Sequence, residues 1–203
     1  MHFGLTEDQQ ELQELARDYL GHLRGARDVL EGAEAADRAV WDRITEEQSW
    51  QAIAIDEEDG GFGMGWLDLA LVFEELGRTL TPCPLLGTAF ATAALTEALP
   101  SDARARGLSE IAAGAPAALA LDTGVKAVQA PDGWALEGVA DRVVDAGMAE
   151  LLVVETDKGF FLASASEAHL TSLPPLDPTR PLSRISFDGA VLGPAALLEG
   201  AAP

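Results

Sequence analysis

The stretch EEDGGFGMGWLDLALVFEELGR, residues Glu57–Arg78, sets four glycines in a nine-residue window directly ahead of an apolar helical pattern. Such a loop reads either as a cradle for nucleotide phosphates or as a structural entry into a buried helix. A dinucleotide fingerprint needs G-x-G-x-x-G straight after a strand, with an acidic residue about twenty positions on, carried by a second strand. Here Gly61, Gly63 and Gly65 give G-x-G-x-G, the flanks read as helix, and no second parallel strand follows. The entry-loop reading is therefore favoured: glycine takes dihedrals that other residues avoid and lets the chain turn sharply. Leu67, Leu69, Ala70, Leu71, Val72, Phe73 and Leu76 make the following helix apolar over more than half its circumference. That width predicts a central helix of a helical domain.

Working outward, Thr6 and Gln9 have capping-box spacing, and Leu12, Leu15, Ala16, Tyr19, Leu20 and Leu23 recur on one face of a first helix. Residues 25–36 read as a connection or a frayed helix, and Val40, Trp41 and Ile44 as the inward face of a short helix. Gly77 is expected to loosen the end of the central helix, and TPCP, Thr81–Pro84, to stop it. Pro84 then suits the first turn of the next helix, through Leu85, Phe90 and Leu95, and Ser101 caps one more, with Leu108 and Ile111.

Beyond Gly114 the texture changes. AALALDT, KAVQA, GWALEG, ELLVVET, GFFLAS, HLTSLP and LSRISFDG are short β-prone runs punctuated by Gly, Pro and Asp. No helix-length segment separates them, so a parallel βαβ sheet is disfavoured. The expected class is α+β: an all-helical domain over 1–114, then an antiparallel β-barrel or sandwich over 115–203. The tail from Gly193 reads as turn.

Composition limits function. Against 13 basic residues stand 34 acidic ones, a formal charge of −21. Such a field repels nucleic acid and anionic lipid surfaces, so neither is an expected partner. Cys83 is the single cysteine, which rules out an internal disulfide and fits a reducing compartment. The start, MHFGLTEDQQ, carries no signal-like pattern, and a soluble cytoplasmic protein is expected.

The segment AIDEEDGGFGMGWLDLALVFEELGR resembles the acyl-CoA dehydrogenases, in which a short acidic stretch, a Gly-Gly pair and a helix ending E-E-L-G-R follow one another. The resemblance extends through LTEDQQELQELARDYL, LTPCPLLGT, and the β region from GWALEG through LPPLDPTRPLSRISFDGA to VLGPAALL. It implies the family's N-terminal helical domain and middle β-domain. It further implies FAD lying between that β-domain and a C-terminal helical bundle. There, a proton leaves the α-carbon of an acyl-CoA thioester while a hydride passes from the β-carbon to flavin N5, with a bundle carboxylate as base. The sequence ends about where that bundle would begin, so no catalytic residue is expected within it, and FAD is expected only in a complete assembly.

The flavin-facing positions depart from the family pattern. Where the family has T-E-P-x-x-G-S-D, this chain has LALDTGVKAV; Leu121, Asp122 and Thr123 occupy the loop, Asp122 replaces the threonine, and the serine has no counterpart. The second motif, aromatic–aliphatic–Thr/Ser, aligns with Arg142, Val143 and Val144. Valine donates no hydrogen bond to N5, and arginine is no aromatic platform, although its plane can stack.

Other residues read plainly. His2, His22 and His169 lack metal-ligand spacing. Glu74 and Glu75 point about 100° apart on their helix, which suits a charge pair with Arg78 better than acid–base work. Cys83 reads as packing, and Trp41, Trp50, Trp66 and Trp134 as core or domain contacts. Three functions follow: a piece of an acyl-CoA dehydrogenase acting on acyl-CoA once completed; a non-catalytic partner subunit of a heteromeric one; or a scaffold turned binding module. In each, the β part is expected to expose apolar surface and to join a homo-oligomer or a related chain.

Overall fold

The computed structural model describes residues 4–23, 25–32, 37–121 and 124–200. Helix α1, Glu7–Gly21, opens on a full capping box, with the Thr6 side chain accepting from the Gln9 amide and Gln9 answering from its own side chain. A short α2, Ala26–Leu30, lies inside the stretch that reads as a connection or a frayed helix. Asp37 caps α3, Arg38–Glu47, which buries Val40, Trp41 and Ile44. Next come α4, Trp66–Thr79, α5, Leu85–Glu97, and α6, Asp102–Ala112, the last capped by Ser101 as its spacing predicts. Pro84 stands at the cap of α5, one residue ahead of its first turn. Helix α4 runs through Gly77 without a break and ends on Leu80 in the left-handed conformation.

The central helix is α5 rather than α4. Helix α5 buries Leu85, Gly87, Thr88, Ala89, Ala91, Thr92 and Leu95 around its girth. Helix α4 buries Leu69, Leu71, Val72 and Leu76, while Trp66 and Leu67 are 45% and 58% exposed. The α4 pattern misleads because its polar partner is hidden: Glu75 is buried between Arg17 of α1 and Arg78. The α1–α4 seam is laced further by Gln9 to Asp68 and Gln13 to Glu74.

All seven expected strands form: β1 Ala117–Ala120, β2 Lys126–Ala130, β3 Gly133–Val144, β4 Leu151–Thr156, β5 Gly159–Ser164, β6 His169–Leu173 and β7 Leu182–Leu192. The tail adds a two-residue β8, Leu197–Leu198, paired to β5. They build two four-stranded sheets, β1-β4-β5-β8 and β2-β3-β7-β6. The sheets stack as an open sandwich with no closed barrel. One pair, β1 with β4, is parallel, although no helix connects them; the β2–β3 hairpin of the other sheet makes the crossover.

Layering explains the continuous apolar runs. Leu152, Val154, Phe161 and Ala163 face the sandwich interior with Leu136, Ala140, Val143, Ile185 and Phe187. Leu151, Val153, Phe160 and Leu162 point the other way, against Leu95, Leu108 and Ile111 of α5 and α6. A sheet covered on both faces has no wet side and hence no alternation. The opposite sheet keeps one face open, and Val128, Val139 and Val191 are exposed there. Trp41 and Trp50 are core residues, Trp134 packs edge-on to Phe161, and Trp66 lies at the surface rather than in the core.

Candidate functional site

The glycine loop resolves as architecture. The amide of Gly60 donates to Glu57, Gly61 to Asp56, Phe62 to Ala52, Gly63 to Ile55 and Met64 to Ile53, all backbone carbonyls. Gly65 donates to the Asp68 carboxylate. Every amide a phosphate would need is occupied by the chain's own oxygens. Gly60 and Gly63 have φ of 90° and 62°, the left-handed region. Asp59, buried, clamps the loop to α6 through Arg104 at 3.0 Å.

The second candidate site is the end of β3. Ala140 pairs with Ile185 and Val143 with Ser183, so Asp141 and Arg142 together oppose Arg184 in a bulge. Arg142 sits in it at φ 58° with an exposed side chain. Asp141 forms an ion pair with Arg184, whose guanidinium holds the carboxyl below its ordinary range. Val143 turns into the sandwich core, and half-buried Val144 pairs through its backbone with Leu182. Leu121, just past β1, is exposed; Asp122 and Thr123 lie outside the described residues. Ala118 and Ala120 of β1 share the core with Ala140 and Val143, which brings the two candidate segments to the same side of the fold.

Among the described candidates, none presents the neutral hydroxyl or the aromatic wall that the family resemblance implies at these positions. Leu121, Val143 and Val144 carry no side-chain donor, and Val143 faces away from any surface. Arg142 supplies donors, but from a left-handed bulge in place of a flat aromatic wall.

Sequence reasoning passed over Asp145, the next residue, because Asp-Ala-Gly after a strand reads as an ordinary turn. It has φ 57° and is 2% exposed, and its Oδ2 accepts from the Gly87 amide in the first turn of α5 at 3.0 Å. Burial pushes its carboxyl up to about 6, against the opposing pull of that amide and of Arg180. Nearby Cys83 is buried and its thiol is pushed up to about 12 by burial, so it is no nucleophile at neutral pH.

The cavities lie elsewhere. One of about 400 Å³, lined by Arg38, Asp42, Glu46, Glu110 and Glu150 among others, has its one cation tied to Asp42 at 2.7 Å and Glu150 at 2.6 Å. Another, of about 440 Å³, is lined by Leu99–Asp102 and by Pro194, Ala195, Leu197 and Glu199. Neither holds a candidate flavin residue, and their carboxylates suit CoA phosphates poorly. Among the described residues no cluster of three metal-ligating side chains occurs, His22 and His169 are surface residues, and no helix is long and apolar enough to cross a membrane.

Helices laid on a β-sandwich are an arrangement that comparison with known proteins also finds. The family profile described as acyl-CoA dehydrogenase, N-terminal domain, matches residues 6–115. The chain belongs to the acyl-CoA dehydrogenase family. It is 32% identical over 186 residues to acyl-CoA dehydrogenase IpdE2 of Mycobacterium tuberculosis, covering 90% of this chain and 52% of that protein. It thus spans about half the length of that relative. Among solved structures, the ChsE4–ChsE5 complex of Mycobacterium tuberculosis matches with a TM-score of 0.82 at 24% identity, over 98% of this chain and 59% of the other. An FAD-dependent dehydrogenase matches at 0.79 and 21% identity, over 98% and 59%. At those identities the structural matches establish the fold, and FAD is supported at the level of the family.

Proposed function

We propose that this chain is a supporting subunit of a heteromeric acyl-CoA dehydrogenase, in which a related chain carries out the α,β-dehydrogenation of an acyl-CoA thioester. The observation that supports this reading is the end of β3, where a bulged Arg142, a core-facing Val143 and a donorless Val144 stand at the positions that the family resemblance assigns to flavin contact. The chain's part is then to bind and brace the catalytic partner. Exposed Val128, Val139 and Val191 on the open sheet, and Leu121 past β1, supply apolar surface for such a contact. A solved neighbour that is itself a complex, ChsE4–ChsE5, supports pairing between related chains. The helical part, 1–114, and the β part, 115–203, form one wall of the assembly, and its place is the cytoplasm.

A second reading rests on the share of IpdE2 covered: a further segment of ordinary family type would complete the same cleft. The two separate in one experiment. The chain is assayed for thioester oxidation with an electron-accepting dye, alone and after co-expression with a related chain bearing Thr or Ser at the place Val144 holds here. The proposal expects no turnover alone and turnover in the stable complex. Turnover by this chain alone refutes it, and a catalytic chain that neither binds it nor changes in activity refutes the supporting role.

A further inference from the structure

The first turn of α5 lies directly against the strand ends. A Cβ on Gly87 would stand 3.0 Å from the Asp145 Cβ, 3.0 Å from the Val144 carbonyl oxygen and 3.2 Å from that of Ala117. Thr88 ties the same turn to β1 by accepting from the Ala117 amide at 3.1 Å. On this packed surface Asp145 takes a left-handed backbone conformation, one that Asp tolerates better than most residues. Its amide donates to the Pro181 carbonyl at 3.1 Å, and its carboxylate accepts from Gly87, one of the amides a helix start leaves without an internal partner.

One donor is little for a buried ion. An ionised carboxylate offers about four acceptor sites and, when buried, requires pairing or several hydrogen bonds. Arg180, the nearby cation, directs its Nη1 to the carbonyls of Thr81 and Thr179, each at 3.4 Å, and reaches Asp145 only through space. Cys83 faces the group from the TPCP loop and stays neutral. Asp177, in the loop before β7, is tied to Thr179 and also faces Arg180. Strand β6 packs on Ala146–Met148, with its titratable His169 at the end of the strand away from Leu182. Leu85–Thr88 of α5, Ala117 of β1, and Leu182 and Ser183 of β7 bring no charge.

We propose that Asp145 makes the junction between the end of β3 and α5 a proton-operated latch, held shut when the carboxyl is neutral and strained toward opening when it is ionised. The latch is independent of the flavin question, but it acts on the strand end that carries Arg142–Val144. The sign follows from burial. The closed junction binds the proton more tightly than the opened, hydrated one, so closure strengthens as pH falls from about 7 toward the ordinary carboxylate range and weakens as pH rises through about 6. With those two limits the opening constant rises about tenfold between pH ~5 and pH ~7.5.

Hydrogen exchange at the Gly87 and Thr88 amides of the whole chain reads this directly, after correction for intrinsic exchange at each pH. The wild type is expected to show the tenfold rise. Asp145→Asn keeps an oxygen acceptor for Gly87 and cannot ionise, so its corrected exchange stays flat. A flat wild-type profile, or an unchanged step in Asp145→Asn, overturns the proposal. Should that variant fail to fold, Arg180→Gln removes the opposing cation and must move the step to higher pH; a step that stays put overturns it equally.

Discussion

Replacing Gly61 by alanine would put a methyl carbon 2.1 Å from the Ile55 carbonyl oxygen and 2.5 Å from both its carbonyl carbon and its Cβ. The obstacle is backbone, so no rotamer change relieves it, and the loop must move by about 1 Å to regain ordinary contact. The carbonyl it strikes accepts from Gly63 at 2.8 Å, and the neighbouring bonds from Phe62 to Ala52 and Met64 to Ile53 share the same short span. Losing two or three such bonds, each worth about 1 kcal/mol net, gives a destabilisation of about 3 kcal/mol. Gly77→Ala is the control. Nothing lies within 4 Å of its added Cβ, and it stands inside α4, so alanine is expected to stabilise by about 1 kcal/mol. Urea unfolding followed by circular dichroism compares the midpoints at constant slope. A Gly61→Ala protein within about 0.5 kcal/mol of wild type would refute the claim that the glycines are there for close backbone passage.

Further outcomes follow from the same contacts. Arg104→Ala strands the buried Asp59 carboxylate beside the loop, and thermal melts should show a loss of about 3 kcal/mol or more. The Arg17 guanidinium holds the Glu75 carboxyl below its ordinary range, so that stabilisation is present above the ordinary carboxylate range and lost as pH falls through the lowered value. Arg17→Ala should therefore flatten the acid side of a stability–pH profile, and an unchanged profile would contradict the pairing. Cys83 should resist thiol reagents in the folded protein and react once denaturant is added; rapid labelling without denaturant would show that the TPCP loop is open.

The sequence announced elements wherever a local rule suffices. Thr6, Ser101 and the glycine window encode turns and caps within a few residues, and the seven strands are bracketed by Gly, Pro and Asp. Tertiary pairing was invisible. Nothing in α4 announced that Glu75 would be buried by an arginine 58 residues away, and the apolar width that suggested a central helix leaves Trp66 and Leu67 at the surface instead. The parallel contact of β1 with β4 depends on stacking two sheets, which no period records. At the candidate site, the motif alignment located Arg142–Val144, while Asp145 escaped notice because its importance comes from Gly87, far off in the chain.

A supporting subunit of the kind proposed should retain no FAD by itself. Purified protein mixed with excess FAD and passed through gel filtration tests it, with visible absorbance read across the protein peak. A colourless peak is expected from the chain alone, with flavin bound only when a related catalytic chain co-elutes. Stoichiometric flavin retained by the chain on its own would contradict it.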